Sequence, residues 1–279
     1  MKNILKKIGQ ALSAVYDGQE LESVSRALCL ELLDIDKADF YTKAKLSFDS
    51  DRDSRLDAAL KRLEKGEPLQ YVLGNAPFCG LNFKVGPGVL VPRPETGELV
   101  SWVISETSGP AGILDIGTGS GCIAVTLASK MPQCTVKGWD ISDEALSYAR
   151  SNSELNGTDV VFEKHDVLAS DLPEARFDVI VSNPPYIIEK EKSDIDRTVL
   201  DYEPALALFV PDNDPLLFYR AIAMFGKMAL KPCGSLYFEI NPMFAGQLKQ
   251  LLERSGYHNV TLRRDIFGKL RMIKATANE

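Results

Sequence analysis

Histidine is nearly missing from this 279-residue chain: His165 and His258 are the only two. The five cysteines (Cys29, Cys79, Cys122, Cys134, Cys233) are odd in number, scattered, and never spaced as C-x-x-C. A zinc site or a redox dithiol is therefore not expected, and neither is a disulfide scaffold. No apolar run approaches the ~20 residues a membrane span requires. The start, Met1-Lys-Asn-Ile-Leu-Lys-Lys-Ile8, interleaves charges where a secretory leader needs its apolar stretch, so a reducing cytoplasm is the expected compartment. An excess of positive charge is also lacking: 32 Lys and Arg face 39 Asp and Glu, for a net charge of −7. That argues against a protein built to grip phosphate backbones. Residues 1–75 hold 12 basic against 13 acidic residues, so no basic arm offsets the total. Five basic residues from Arg263 to Lys274 make a mild patch, read here as a solvated strand. What is present is ordinary for a folded domain, 45% hydrophobic and 25% charged, which excludes wholesale disorder.

Apolar positions recur at helical spacing through the first 65 residues: Ile4, Leu5, Ile8, Leu12 and Val15, then Leu21, Val24, Leu28 and Leu32, then Leu56, Leu60 and Leu63. Asp17-Gly18 breaks the first pattern, Gly66 with Pro68 ends the last, and Ser50 and Asp51 are N-cap candidates. A small helical bundle is predicted over residues 1–70. Glycines and prolines then punctuate short β-type runs, which predicts a β-hairpin linker over 71–94. From Glu95 to residue 279, strand-like and helical runs alternate, the mark of an α/β domain with a parallel sheet. Predicted strands are Ile113–Ile116, Thr135–Asp140, Val160–Glu163, Phe177–Ser182, Ser235–Ile240, Asn259–Arg263 and Leu270–Ala275. Helices are predicted near Cys122–Lys130, Asp143–Asn156, Pro215–Leu230 and Pro242–Ser255.

Three places carry chemistry. In Ile113-Leu-Asp115-Ile-Gly117-Thr118-Gly119-Ser120-Gly121-Cys122, a buried strand runs into a glycine loop and then a helix. Such a loop lets the backbone approach a nucleotide-like ligand, and the helix start presents N–H groups. The spacing lacks the third glycine of a dinucleotide fingerprint, because Cys122 stands there, and no P-loop lysine follows. A nicotinamide dehydrogenase is therefore disfavoured. Asp140 ends the next strand, placed to accept from ribose hydroxyls. Ser142 can cap the following helix on its own, which frees Asp140 for that role. Asp166 either faces an adenine amino group or is a turn aspartate. Asn183-Pro184-Pro185-Tyr186 ends the fourth strand. Two prolines remove N–H donors, so the loop offers acceptors, the Asn183 oxygen and nearby carbonyls, with Tyr186 as a flat face. That set suits a planar amino group. An ordinary proline turn is the plain alternative, and the glycine loop and Asp140 at matching strand ends weigh against it. Trp102 and Trp139 are read as core packing and His165 as a turn residue.

These motifs resemble the class I S-adenosylmethionine-dependent methyltransferases, and specifically the HemK/PrmC family of protein-(glutamine-N5) methyltransferases. The resemblance spans nearly the whole chain. It includes Pro68-Leu-Gln-Tyr-Val-Leu-Gly74, Val89-Leu-Val-Pro-Arg-Pro-Glu-Thr96, Glu203-Pro-Ala-Leu-Ala-Leu208 and Phe238-Glu-Ile240. It implies a Rossmann-like methyltransferase sheet behind a helical substrate-recognition domain, and S-adenosyl-L-methionine as cofactor. The implied cofactor residues are Asp115, Gly117, Thr118, Gly119, Ser120, Gly121, Asp140, Ile141, Asp166, Val167 and Asn183, and the catalytic ones Asn183, Pro184, Pro185 and Tyr186. The implied reaction is methylation of the glutamine in the Gly-Gly-Gln loop of peptide chain release factors, by a monomer that needs no metal, membrane or sequence-specific nucleic acid. Asn-Pro-Pro-Tyr is shared with adenine-amino methyltransferases of DNA and RNA, so that activity is the alternative, as is a ribosomal-protein glutamine as target. A non-catalytic nucleotide-binding adaptor would have no use for the acceptor loop. The chain departs from the family pattern at Gly97, at Val167 and over Phe209–Pro215; the first two are expected on the cofactor side and the third in a surface loop.

Overall fold

The computed structural model describes residues 1–42, 49–169 and 176–278; residues 43–48 of the predicted bundle lie outside them. The chain divides into two compact units, Met1–Asn75 with Asp196–Tyr202, and Ala76–Ile195 with Glu203–Glu279.

The first unit is helical: α1 (Lys2–Leu12), α2 (Gly18–Ala27) continued by a π-helical turn over Leu28–Leu32, α3 (Lys37–Thr42), α4 (Ser50–Leu63) and α5 (Leu69–Leu73). The predicted spacing places Ile4, Ile8 and Leu12 of α1 in one core with Leu28, Leu56, Leu60 and Leu63. Each such buried side chain contributes about 1.5–3 kcal/mol. Val15 falls beyond the end of α1 and is exposed, so the apolar pattern outruns the helix. The cap of α4 is Asp49, one residue before the predicted candidates, because its carboxylate reaches the Arg52 N–H at 2.9 Å. Asp51 instead sits in the first turn, where the helix dipole favours it.

The second unit continues with β1 (Asn75–Phe78), β2 (Leu81–Lys84), α6 (Pro94–Glu106), β3 (Gly112–Ile116), α7 (Cys122–Lys130), β4 (Thr135–Asp140), α8 (Asp143–Leu155), β5 (Val160–Lys164), β6 (Phe177–Ser182) and β7 (Ile187–Ile188). After α9 (Arg197–Tyr202), which belongs to the first unit, come α10 (Ala205–Leu208), β8 (Phe209–Val210), α11 (Leu217–Ala229), β9 (Leu230–Glu239), α12 (Ala245–Arg254), β10 (His258–Arg264) and β11 (Leu270–Thr276). Seven strands form one sheet in the order β10-β11-β9-β6-β3-β4-β5, parallel except at β11, which runs antiparallel to both neighbours. The central strands are buried on both faces, which is why they read as nearly unbroken apolar runs.

Strand order places the site. The chain goes outward from β3 to β4 and β5, then returns to lay β6 on the other side of β3. A crevice opens at the carboxyl ends of the strands where the order reverses. Ile116 pairs with Ser182, whose hydroxyl donates to the Ile116 carbonyl at 2.6 Å, so residues 117 and 183 leave neighbouring strand ends.

Several elements differ from the sequence reading. Helix α6 was not predicted: it opens on Pro94 and carries Gly97, yet Pro at the first helical position costs nothing, and Leu99, Val100 and Val103 bury its inner face. Strand β9 begins at Leu230, five residues early. Pro232, Cys233 (φ 61°) and Gly234 form an irregular start that reads as a turn in sequence. Phe209 and Val210 are not surface loop: they pair in parallel with β7, directly after the acceptor loop, and Val210 is buried.

Candidate active site

The glycine loop follows β3 with positive φ at Gly117 (72°), Gly119 (54°) and Gly121 (80°). At Gly121 a side chain would also press within 3.1 Å of Ala149, so only glycine fits the entry to α7. Most of the loop's own donors are used internally. Gly117 and Thr118 donate to the Trp139 carbonyl (2.8 and 2.9 Å), Gly119 to Asp140 (2.9 Å), and Gly121 to the Thr118 carbonyl (2.8 Å). The loop thus offers close backbone approach more than free N–H groups. Asn152, fully buried on α8, donates to the Ser120 carbonyl at 2.8 Å and to the Lys84 carbonyl at 3.0 Å, and accepts from the Lys84 N–H. It ties loop to hairpin, and nothing in its local sequence pattern announces it.

Asp140 braces the loop with both of its oxygens. One carboxylate oxygen accepts from Gly119 and the other from the Ser142 N–H, each at 2.9 Å, while Ser142 caps α8 by accepting from Ala145. Burial raises its pKa, and the N–H donors offset part of that rise. Asp115 is fully buried beneath the loop. Its Oδ2 accepts from the Thr118 hydroxyl at 2.6 Å, and burial pushes its pKa up to about 7 against that bond and the Ala124 N–H.

A cavity of about 300 Å³ lies over this loop, within the range of small-molecule sites. Of the predicted residues, Gly117, Thr118, Gly119, Ser120, Asp140, Ile141, Asp166, Val167, Asn183, Pro184 and Pro185 line it; Asp115, Gly121 and Tyr186 do not. Asp115 and Gly121 shape the loop from below. Asp166 turns its own chain, accepting from the Leu168 N–H at 2.9 Å, and still lines the cavity wall. His165 lines it too, its ring tilted 47° against Trp139 with the centroids 4.3 Å apart, and is more than a turn residue. Trp139 and Trp102 themselves are core. The sequence reading missed the wall made by Val89, Leu90, Pro92, Arg93 and Thr96 and that from Leu206 to Ala207, and the signal was present as family motifs without roles. Glu203 joins these two walls: its buried carboxylate accepts from the Val91 N–H (3.2 Å) and from Arg93 (2.6 Å).

The acceptor loop is held from behind. Asn183 donates its side-chain N–H to the Thr96 hydroxyl at 3.3 Å, and Thr96 donates to Glu239 Oε2 at 2.6 Å. Tyr186 donates to Glu239 Oε1 at 3.2 Å, and Asn241 donates to the Tyr186 carbonyl at 3.2 Å. The flat face expected of Tyr186 is not on the cavity wall: its ring packs on the core beside β9 and its hydroxyl is spent on Glu239. Burial raises the Glu239 carboxyl, against the Thr96 hydrogen bond and the nearby Arg271 charge; burial and the Glu239 charge raise the Tyr186 phenol. Gly97 lies away from the cavity, with Cys79 Sγ only 3.0 Å from where a Cβ would stand, so this departure concerns helix-to-hairpin packing and not the ligand. Val167 does line the cavity.

Comparison with known proteins agrees with both halves. The PrmC N-terminal domain model matches residues 3–74 and the methyltransferase small domain model residues 98–201. A release factor glutamine methyltransferase of Bacteroides thetaiotaomicron is 45% identical over 276 residues, covering 99% of both chains. One from Flavobacterium psychrophilum is 42% identical over 279 residues, 98% of both. A solved methyltransferase from Pyrococcus furiosus shares the fold, with a TM-score of 0.55 and 21% identity over 83% of this chain and 100% of its own. With near-full-length identity to curated relatives added to the sheet and its two facing loops, the chain belongs to the release factor glutamine methyltransferase family.

Proposed function

We propose that this chain transfers a methyl group from S-adenosylmethionine to the side-chain amide nitrogen of the glutamine in the Gly-Gly-Gln motif of peptide chain release factors. The observation that carries the reading is Asn183 on the cavity wall, its N–H turned to Thr96, which leaves its oxygen to accept. The residues fit the cofactor: a glycine cradle with positive φ, the Asp140 carboxylate and the apolar flanks Ile141 and Val167 line one cavity with the acceptor loop. When bound there, S-adenosylmethionine supplies an electrophilic methyl.

A carboxamide nitrogen is barely basic, because its lone pair is delocalised into the carbonyl. Asn183 Oδ1 and the Pro184 carbonyl would accept its two hydrogens, favour the pyramidal form, and take up developing positive charge. The alkylated nitrogen is acidic and gives its proton to water, so no protein base is required. Much of the remaining rate comes from orientation. The helical unit is assigned to recognition of the intact protein substrate. Curated relatives named for release factor glutamine favour this target over the adenine amino group that the loop alone would equally suit. The test is kinetic. Asn183→Ala is expected to lower kcat about 10²–10³-fold with cofactor affinity retained, and Asn183→Asp to keep partial activity. An Ala variant as fast as the parent overturns the acceptor role.

A further inference from the structure

Asn183 can do its work only if its oxygen, and not its nitrogen, faces the target amide. The carboxamide is nearly symmetric in shape, so the backbone of an Asn-Pro-Pro loop does not choose between the two orientations. The choice has to come from what the side chain touches.

The contacts behind the loop have a direction. Glu239, fully buried at the end of β9, receives two hydroxyls, Thr96 at Oε2 (2.6 Å) and Tyr186 at Oε1 (3.2 Å). A carboxylate has no hydrogen to give, so both hydroxyls must donate to it. Thr96 is itself buried and has one hydrogen, which Glu239 takes. Toward Asn183 the Thr96 oxygen can then only accept, and the atom it meets at 3.3 Å must be the amide nitrogen. Arg271, on the strand beside β9, supplies the compensating positive charge near Glu239, and Asp265 holds Arg271 at 3.4 Å. A charge at Glu239 thus sets the polarity of Thr96, which sets the orientation of Asn183.

We propose that Glu239 and Thr96 are positioning residues for methyl transfer, forming a directed hydrogen-bond relay that holds the Asn183 amide with its oxygen toward the target. The proposal rests on the acceptor reading of Asn183 given above. It assigns a role to the Thr96 of Pro-Arg-Pro-Glu-Thr, which lines the cavity, and to the acid of Phe-Glu-Ile, which lies behind it.

The decisive variant is Glu239→Gln. A glutamine can donate to Thr96, which frees the Thr96 hydrogen to bind the Asn183 oxygen and turns the acceptor away from the target. Two numbers are read, kcat and the Kd for S-adenosylmethionine by calorimetry. In the Asn183 enzyme, Glu239→Gln is expected to lower kcat about 30- to 100-fold, the scale of one misplaced polar partner, with Kd changed less than about threefold. In an Asn183→Asp background the same change is expected to cost less than about threefold, because a carboxylate presents an acceptor whichever way it is turned. An equal loss in both backgrounds would mean general loosening and overturns the relay, as does a small loss in the Asn183 enzyme. Should Glu239→Gln fail to bind cofactor, Thr96→Val and Thr96→Ser decide with Glu239 in place: Ser is expected to keep most of kcat and Val to lose it, and equal rates overturn the proposal. A fully active Asn183→Ala refutes the acceptor reading itself, whereas an inactive Asn183→Ala beside active Glu239→Gln and Thr96→Val refutes the relay alone.

Discussion

Replacing Asp140 separates the clasp it makes on the glycine loop from the cofactor contact proposed for it. Its oxygens hold the Gly119 and Ser142 N–H groups, each at 2.9 Å, and thereby lock the glycine loop to the end of β4 before any ligand arrives. Hydrogen bonds to a charged group contribute about 1.5–3 kcal/mol each, and water entering the vacated space restores part of that. Asp140→Ala is therefore expected to destabilise the ligand-free protein by about 2–4 kcal/mol, a fall in melting temperature of about 5–10 °C. If Asp140 accepts from ribose hydroxyls as proposed, its loss is expected to add a separate penalty of about 1–3 kcal/mol in S-adenosylmethionine binding, roughly 5- to 150-fold in Kd. Asp140→Asn sharpens the test. The amide keeps one acceptor but must point its NH₂ at one of the two backbone donors, so stability should fall nearly as far as with Ala. Thermal melting without ligand and calorimetry with it read the two effects apart. An Asp140→Ala protein that melts with the parent would refute the clasp, and unchanged Kd would remove Asp140 from the cofactor site.

Two further outcomes follow from burial. Burial raises the Asp115 carboxyl to about 7 in the folded chain, from an ordinary value of about 4 unfolded, so the native state binds the extra proton between those values. Stability from this group is expected to fall as pH rises from about 4 to 7 and to level off above; Asp115→Asn should flatten that limb of a melting-temperature profile, and parallel profiles would refute it. Leu63→Ala opens the core of the helical unit and is expected to cost about 2–5 kcal/mol there, while the Kd for S-adenosylmethionine stays within twofold because every cavity residue lies in the other unit. A Kd raised more than tenfold would contradict that separation.

The parts of the molecule legible in sequence are those whose cause is local. Strands β4 and β6 are predicted to the residue: β6 is a mostly apolar run stopped by Asn183-Pro184, and β4 is closed by Asp140 just before the Ser142 helix cap. The glycine loop and Asn183-Pro-Pro-Tyr stand out since their backbone demands show in residue type. The support behind them does not. Thr96 and Glu239 lie 143 positions apart and meet only because the start of α6 lies against the end of β9. Asn152 is one polar residue within a helix, and only the packing of β2 on α8 makes it a clasp. Tyr186 invites a stacking role from its ring, and the structure spends its hydroxyl on a buried carboxylate instead. Gly97 is a residue whose place in a motif suggested the ligand, while its neighbours are Cys79 and Phe78.

In the proposed reaction the acceptor loop presents a glutamine amide of a release factor to the methyl donor. Its direct test is mass spectrometry on a Gly-Gly-Gln release factor incubated with the enzyme and S-adenosylmethionine, with fragment ions locating the change. A gain of one CH₂ on the side chain of that glutamine is expected, absent with Asn183→Ala. A release factor that stays unmodified while DNA, RNA or another protein gains the methyl group would contradict it.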